Sequence, residues 1–147
     1  MKKLLFLIGL LVALAIVDGF WLEPEKLLFE DRVRIAIDAP LLRAVHLSDL
    51  HISEDRPLLR RLLQKTAEAD PDLILITGDF IRDLPQGGGD MKPHIAATAA
   101  WISELRRIAP IIGVQGHSEH QGPVIEALDR AGVQFLSNEG RRIGKDG

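Results

Sequence analysis

Three short clusters hold the side chains best suited to chemistry: Ser48-Asp49-Leu50-His51, Gly78-Asp79 and Gly116-His117-Ser118-Glu119-His120. Carboxylate oxygen and imidazole nitrogen together suit Zn, Mn or Fe better than Ca or Mg alone. Asp49 and His51 stand two residues apart, so in an extended turn both side chains face the same way. Each cluster also has a plainer reading. An Asp after a strand often only caps a turn, and the third cluster reads equally as a polar surface loop with His120 solvated. What favours chemistry is their common position in the chain.

Each cluster follows a short apolar run. The runs are Leu42–Leu47, Leu73–Thr77 and Ile111–Val114, with a fourth at Val133–Leu136. Bounded by Asp, Gly and Pro, they suit strands buried on both faces. Helices fit between them. Pro57–Ala69 is apolar at 58, 59, 62, 63 and 67; Pro93–Ile108 aligns Ile95, Ala99, Ile102 and Leu105; Pro123–Ala131 stops at Gly132. Pro in a first turn and Gly just past an end are the expected boundaries. The alternation predicts an α/β fold of mostly parallel strands joined by right-handed crossovers. Ligands of such sheets bind beyond the carboxyl ends of the strands, where all three clusters fall.

Other residues rank lower. Val33, Ile35 and Ile37 alternate with Arg34, Ala36 and Asp38, predicting a half-buried edge strand. His46, in mid-strand, reads as a core histidine; His94, in a first helical turn, as exposed; Trp101 as core. Gly87-Gly88-Gly89 lacks the Gly-Lys-Ser/Thr ending of a phosphate-binding loop and reads as a flexible loop near the site mouth.

The bulk numbers set bounds. At 147 residues there is material for one ordinary domain. A net charge of −3 disfavours nucleic acid as a partner, and the absence of cysteine excludes disulfides and thiolate metal sites. Lys2 and Lys3 precede fourteen apolar residues, Leu4 to Val17, short of the about 20 that a spanning helix needs. Extension through Trp21 and Leu22 reaches that length, giving a signal anchor. Ala13-Leu14-Ala15 offers the alternative, a cleaved signal peptide. Either way the lysines stay in the cytoplasm and the body of the protein lies outside the membrane. At the other end, Lys145-Asp146-Gly147 is a hairpin-turn signal with no return strand after it, which predicts a truncated chain. The resulting division is 1–22 signal segment, 23–40 linker and edge strand, 41–147 partial domain.

The stretches LRAVHLSDLHIS and DLILITGDFI resemble the opening of the calcineurin-like metallophosphoesterases, and WLEP before them is similar to the bacterial membrane-anchored branch. The resemblance implies the N-terminal half of a layered α/β fold that hydrolyses phosphomonoesters or phosphodiesters with a hydroxide held between two divalent cations (Mn, Fe or Zn). It implies that Asp49 and His51 bind one cation and that Asp79 bridges both. The third motif departs from the family's Gly-Asn-His-Asp or Glu. One alignment puts His117 in the place of the metal-binding Asn and Ser118 in that of the catalytic His; another deletes the Asn and makes His117 the proton donor. His120 is a further donor candidate. Arg82 stands where the family often has Asp, with Asp83 after it. The family's later histidines would lie beyond Gly147, leaving the ligand set incomplete. A membrane tether favours lipid-derived phosphate esters as substrates. The competing expectations are a non-catalytic, tethered metal- or phosphate-binding remnant and, with less support, a flavodoxin-like or receiver-like acidic pocket.

Overall fold

A computed structural model describes residues 2–17, 30–35, 42–83, 89–119 and 122–142. The chain forms two units, Met1–Ile37 and Asp38–Gly147. The second unit holds β1 (Ala44–Leu47), α2 (Pro57–Glu68), β2 (Leu73–Thr77), α3 (Lys92–Leu105), β3 (Ile111–Val114), α4 (Gly122–Ala131) and β4 (Val133–Phe135). The four strands form one sheet in the order β1-β2-β3-β4, and every neighbouring pair is parallel. The expected strand-helix alternation is therefore present.

Sequential order with right-handed crossovers places α2, α3 and α4 on the same side of the sheet. The register decides which side chains meet them. Leu47 pairs with Ile76, Ile74 with Ile111, and Ile111 with Val133, and all of these belong to the buried core. The helices contribute Leu59 from α2, Trp101, Ile102 and Leu105 from α3, and Val124 and Leu128 from α4. Trp101 is core as expected, and its indole N–H donates to the Leu59 carbonyl (3.2 Å). The α3 stripe is rotated from the expected one: Thr98 and Trp101 are buried, whereas Ala99 is half-buried.

The intervening strand residues point the other way, and there the expectation of burial on both faces holds only in part, for Leu73 and Ile112 are buried. Ala44, His46, Thr77, Val114 and Gln134 are all exposed. The other face is left open on β1, on β4 and at the last residues of β2 and β3. His46 is accordingly not a core histidine: it lies exposed on β1, with Nε2 2.8 Å from the Thr77 hydroxyl. His94 is half-buried, its Nδ1 3.2 Å from the Arg82 carbonyl oxygen.

In the first unit, α1 (Lys2–Val17) is a 16-residue helix carrying exposed Phe6, Leu7, Leu11 and Leu14. No helix among the described residues is long and apolar enough to cross a membrane. The extension to Leu22 and the Gly87-Gly88 part of the glycine run lie outside the described residues. Residues 30–35 form no strand, and Val33 and Ile35 are 77% and 76% exposed. Alternation makes a strand only where a neighbouring backbone supplies the ladder bonds; Ile37 lies outside the described residues.

The uneven burial of the sheet has a measurable consequence. Ile102→Ala, at a fully buried position on α3, is expected to lower unfolding free energy by about 3 kcal/mol. Val114→Ala, at an exposed strand end, should cost less than about 1 kcal/mol. Equal losses in urea denaturation would contradict this difference in burial.

Candidate metal centre

The loops leaving β1, β2 and β3 are tied to one another by backbone hydrogen bonds. Beyond the last strand residues, the chain after β1 runs alongside the chain after β2. Asp49 N–H donates to the Gly78 carbonyl (3.3 Å), His51 to Asp79 (2.9 Å) and Ile52 to Phe80 (2.9 Å), while Arg82 N–H returns to Ile52 (3.0 Å). Ile52 and Ile81 form an isolated parallel bridge. Both are buried, so the join is sealed by apolar side chains.

The loops after β2 and β3 approach more closely still. A Cβ on Gly78 would lie 2.5 Å from the Gly116 Cα, and one on Gly116 would lie 2.4 Å from the Asp79 nitrogen. Only glycine at both places lets these backbones meet. Gly78 also has φ +87°, a conformation that costs glycine little.

Glu119 fastens this contact. It is fully buried, and its carboxylate accepts from four backbone N–H groups. Oε2 takes those of Asp79 (2.9 Å) and Gly116 (2.8 Å); Oε1 takes those of Phe80 (2.8 Å) and Ile81 (3.4 Å). Sequence reasoning placed Glu119 in a cluster of polar ligands and gave it no role of its own. The signal that could have found it is its place as the acidic residue closing the third motif.

These ties bring Asp49, His51 and Asp79 together. One ligand atom from each lies within 4.8 Å of the other two, and this is the one such group among the described residues. The backbone that achieves it is not the expected extended turn. Asp49 (φ 54°), His51 (φ 42°) and Asp79 (φ 53°) all lie in the left-handed region. Left-handed non-glycine residues cost roughly 1 kcal/mol or more each and concentrate at functional sites. Here the ladder between the two loops holds them in place. Asp49 and His51 still act together, because Leu50 between them packs against the core.

Asp79 is held as a carboxylate. The Ser118 backbone N–H, donating to Oδ1 at 2.9 Å, is the largest cause that keeps its pKa below the usual range. The Ser118 hydroxyl, the nearby His51 and the His117 backbone N–H add to this, and partial burial opposes it. Ser48 Oγ donates to Asp49 Oδ2.

The third motif contributes backbone rather than ligands to this group. His117 is exposed and does not belong to it. Ser118 is buried, and its hydroxyl donates to Asp83 Oδ2 (3.4 Å). Gly116 and Glu119 hold the two ends of the motif through their mutual hydrogen bond. His120 lies outside the described residues.

Two carboxylates and one imidazole converging at the carboxyl edge of a parallel sheet suit a divalent transition metal. Three protein ligands leave coordination positions for other groups, as catalytic sites require. Residues 42–143 match the family model described as calcineurin-like phosphoesterase. The chain belongs to the calcineurin-like phosphoesterase family. It is also similar to a Bacillus subtilis (strain 168) protein called "Uncharacterized metallophosphoesterase YkoQ", with 27% identity over 111 residues. That alignment covers 69% of this chain and 38% of the Bacillus protein, so the chain spans well under half of that relative's length.

Two outcomes follow from the hydrogen bonds. An amide at position 119 offers one acceptor oxygen, so its NH2 must face two backbone donors. Glu119→Gln is expected to destabilise the fold by on the order of 3 kcal/mol; a urea midpoint like that of the wild type would show that the carboxylate is dispensable.

The second concerns acid. Asp79 has a folded pKa below its unfolded value of about 3.9, so its stabilisation is present above that pH and lost as pH falls through the folded pKa. In EDTA, the stability advantage of wild type over Asp79→Asn should narrow below about pH 4. A difference that is constant from neutral pH down to acid unfolding would exclude this linkage.

Proposed function

We propose that this chain carries part of a metal-dependent phosphoesterase in which Asp49, His51 and Asp79 hold a divalent cation. The convergence of those three side chains at the strand ends carries the reading. Divalent cations supply Lewis acidity toward a phosphoryl oxygen and lower the pKa of water. The protein's part is to present ligands already in place and already ionised. Asp79 is kept anionic by the Ser118 N–H and hydroxyl, and Asp49 and His51 are set by a backbone bonded to its neighbour.

A site for two cations (Mn, Fe or Zn) requires further ligands. We assign His117, exposed beside Asp79, as a further ligand or as the proton donor to the leaving group, with His120 as the alternative donor. The substrate is a phosphate monoester or diester. Residues 1–22 act as a membrane anchor or a cleaved signal, as the lysine pair and the exposed apolar side chains of α1 suggest. On this reading the domain from 41 onward lies outside the cytoplasmic membrane, as in the membrane-anchored branch, and lipid-derived phosphate esters come within its reach. A second reading, a non-catalytic metal- or phosphate-binding remnant, draws on Ser118, whose buried hydroxyl faces Asp83 and is a poor acid at neutral pH.

Hydrolysis of bis-p-nitrophenyl phosphate with added Mn2+ separates the two. Asp79→Ala should lower the rate on the order of a hundredfold or more. Equal rates in wild type and variant would end the hydrolase reading. Mn2+ binding that Asp79→Ala abolishes, without turnover in the wild type, would favour the binding remnant.

A further inference from the structure

We propose that Asp83 is a positioning residue for the metal group, acting on Asp79 through Ser118; this rests on the reading of Asp49, His51 and Asp79 as a cation site. Ser118 is 3% exposed and lies between two carboxylates, with its hydroxyl within reach of both Asp79 and Asp83. Its backbone N–H donates to Asp79 Oδ1 at 2.9 Å and its hydroxyl to Asp83 Oδ2 at 3.4 Å. A buried hydroxyl needs an acceptor, and Asp83 supplies it from the surface. Without that acceptor the hydroxyl is left with Asp79 alone, and the pair of Ser118 contacts that orients the Asp79 carboxylate is disturbed.

The geometry makes Asp83 a fixed point rather than a loose surface acid. The residue before it is clamped on both sides: Arg82 N–H donates to the Ile52 carbonyl (3.0 Å), and the Arg82 carbonyl oxygen lies 3.2 Å from His94 Nδ1. Asp79 and Asp83 therefore sit at the two ends of one fastened stretch, and Ser118 spans them from the neighbouring loop. Groups that orient a ligand carboxylate typically alter metal affinity 10–100-fold when removed, an order-of-magnitude range. Asp83 also departs from the resemblance noted above, since the position before it, occupied by Arg82, is where the family often has its acid.

The test is a double-mutant cycle read by Mn2+ affinity in calorimetry and by hydrogen exchange of the Ser118 amide without metal. Asp83→Ala and Ser118→Ala should each weaken Mn2+ about tenfold, and the double variant should lose no more than either. Asp83→Asn, which keeps the acceptor and drops the charge, should stay within about twofold of wild type. Protection of the Ser118 amide should fall in Asp83→Ala and return in Asp83→Asn. Wild-type affinity and protection in Asp83→Ala would overturn the role, as would losses that multiply in the double variant. Asp83→Asn behaving like Asp83→Ala would reduce Asp83 to a charge. No Mn2+ binding by the wild type would remove the cation reading and this role together, whereas wild-type binding that none of the variants alters removes this role alone.

Discussion

A carboxylate with no exposure to solvent must find its partners inside the protein, and Glu119 finds them all on main chain. Two of its donors, Asp79 and Phe80, leave β2, and a third, Gly116, leaves β3. The strands themselves are bonded only as far as Thr77 and Val114. Beyond that point a sheet ordinarily splays, and its N–H groups turn to water. Glu119 replaces the missing ladder with a single side chain, and the facing pair Gly78 and Gly116 lets the backbones come near enough for it to reach both. The position of Asp79 is a consequence of that contact.

The join on the other side uses a different device. Between the loops after β1 and β2 the ladder simply continues, through Asp49, His51 and Ile52, and ends in a bridge of two buried isoleucines. Three left-handed residues are distributed along these two loops. Such conformations persist only where the surroundings over-determine them. Here each of the two loops donates to and accepts from the other, so the backbone cannot relax without breaking several bonds together. The side chains of the candidate metal group are therefore presented by scaffold rather than by a flexible loop.

The strand-helix alternation was legible because short apolar runs and proline-started helices carry their own boundaries, as Pro57, Pro93 and Gly132 show. The edge at which Asp49, His51 and Asp79 gather was legible for the same reason, since topology alone puts strand ends together. What was not legible depended on neighbours. His46 reads as core only if both faces of β1 are covered, and here it meets Thr77 on an open face. Val33 and Ile35 alternate as a strand does, yet pattern cannot supply a bonding partner. Glu119 was hidden by its company: beside two histidines an acid reads as a ligand, and nothing local reveals that three amide groups of a distant segment, 79–81, join that of Gly116 in converging on it.

The same contrast explains why the third motif departs furthest from its family without dissolving the site. Its ends, Gly116 and Glu119, are held by steric contact and by buried hydrogen bonds that no other residue types reproduce. Between them, Ser118 serves Asp79 through its backbone N–H, a group every residue but proline possesses. The amide contact is open to any residue but proline at 118 and is tuned by the Ser118 hydroxyl, whereas the Glu119 contacts do not tolerate change at 119. Variation in this loop can thus alter the orientation of the Asp79 carboxylate and the proton chemistry beside the candidate site, while Glu119 keeps the Asp79 backbone where the fold requires it.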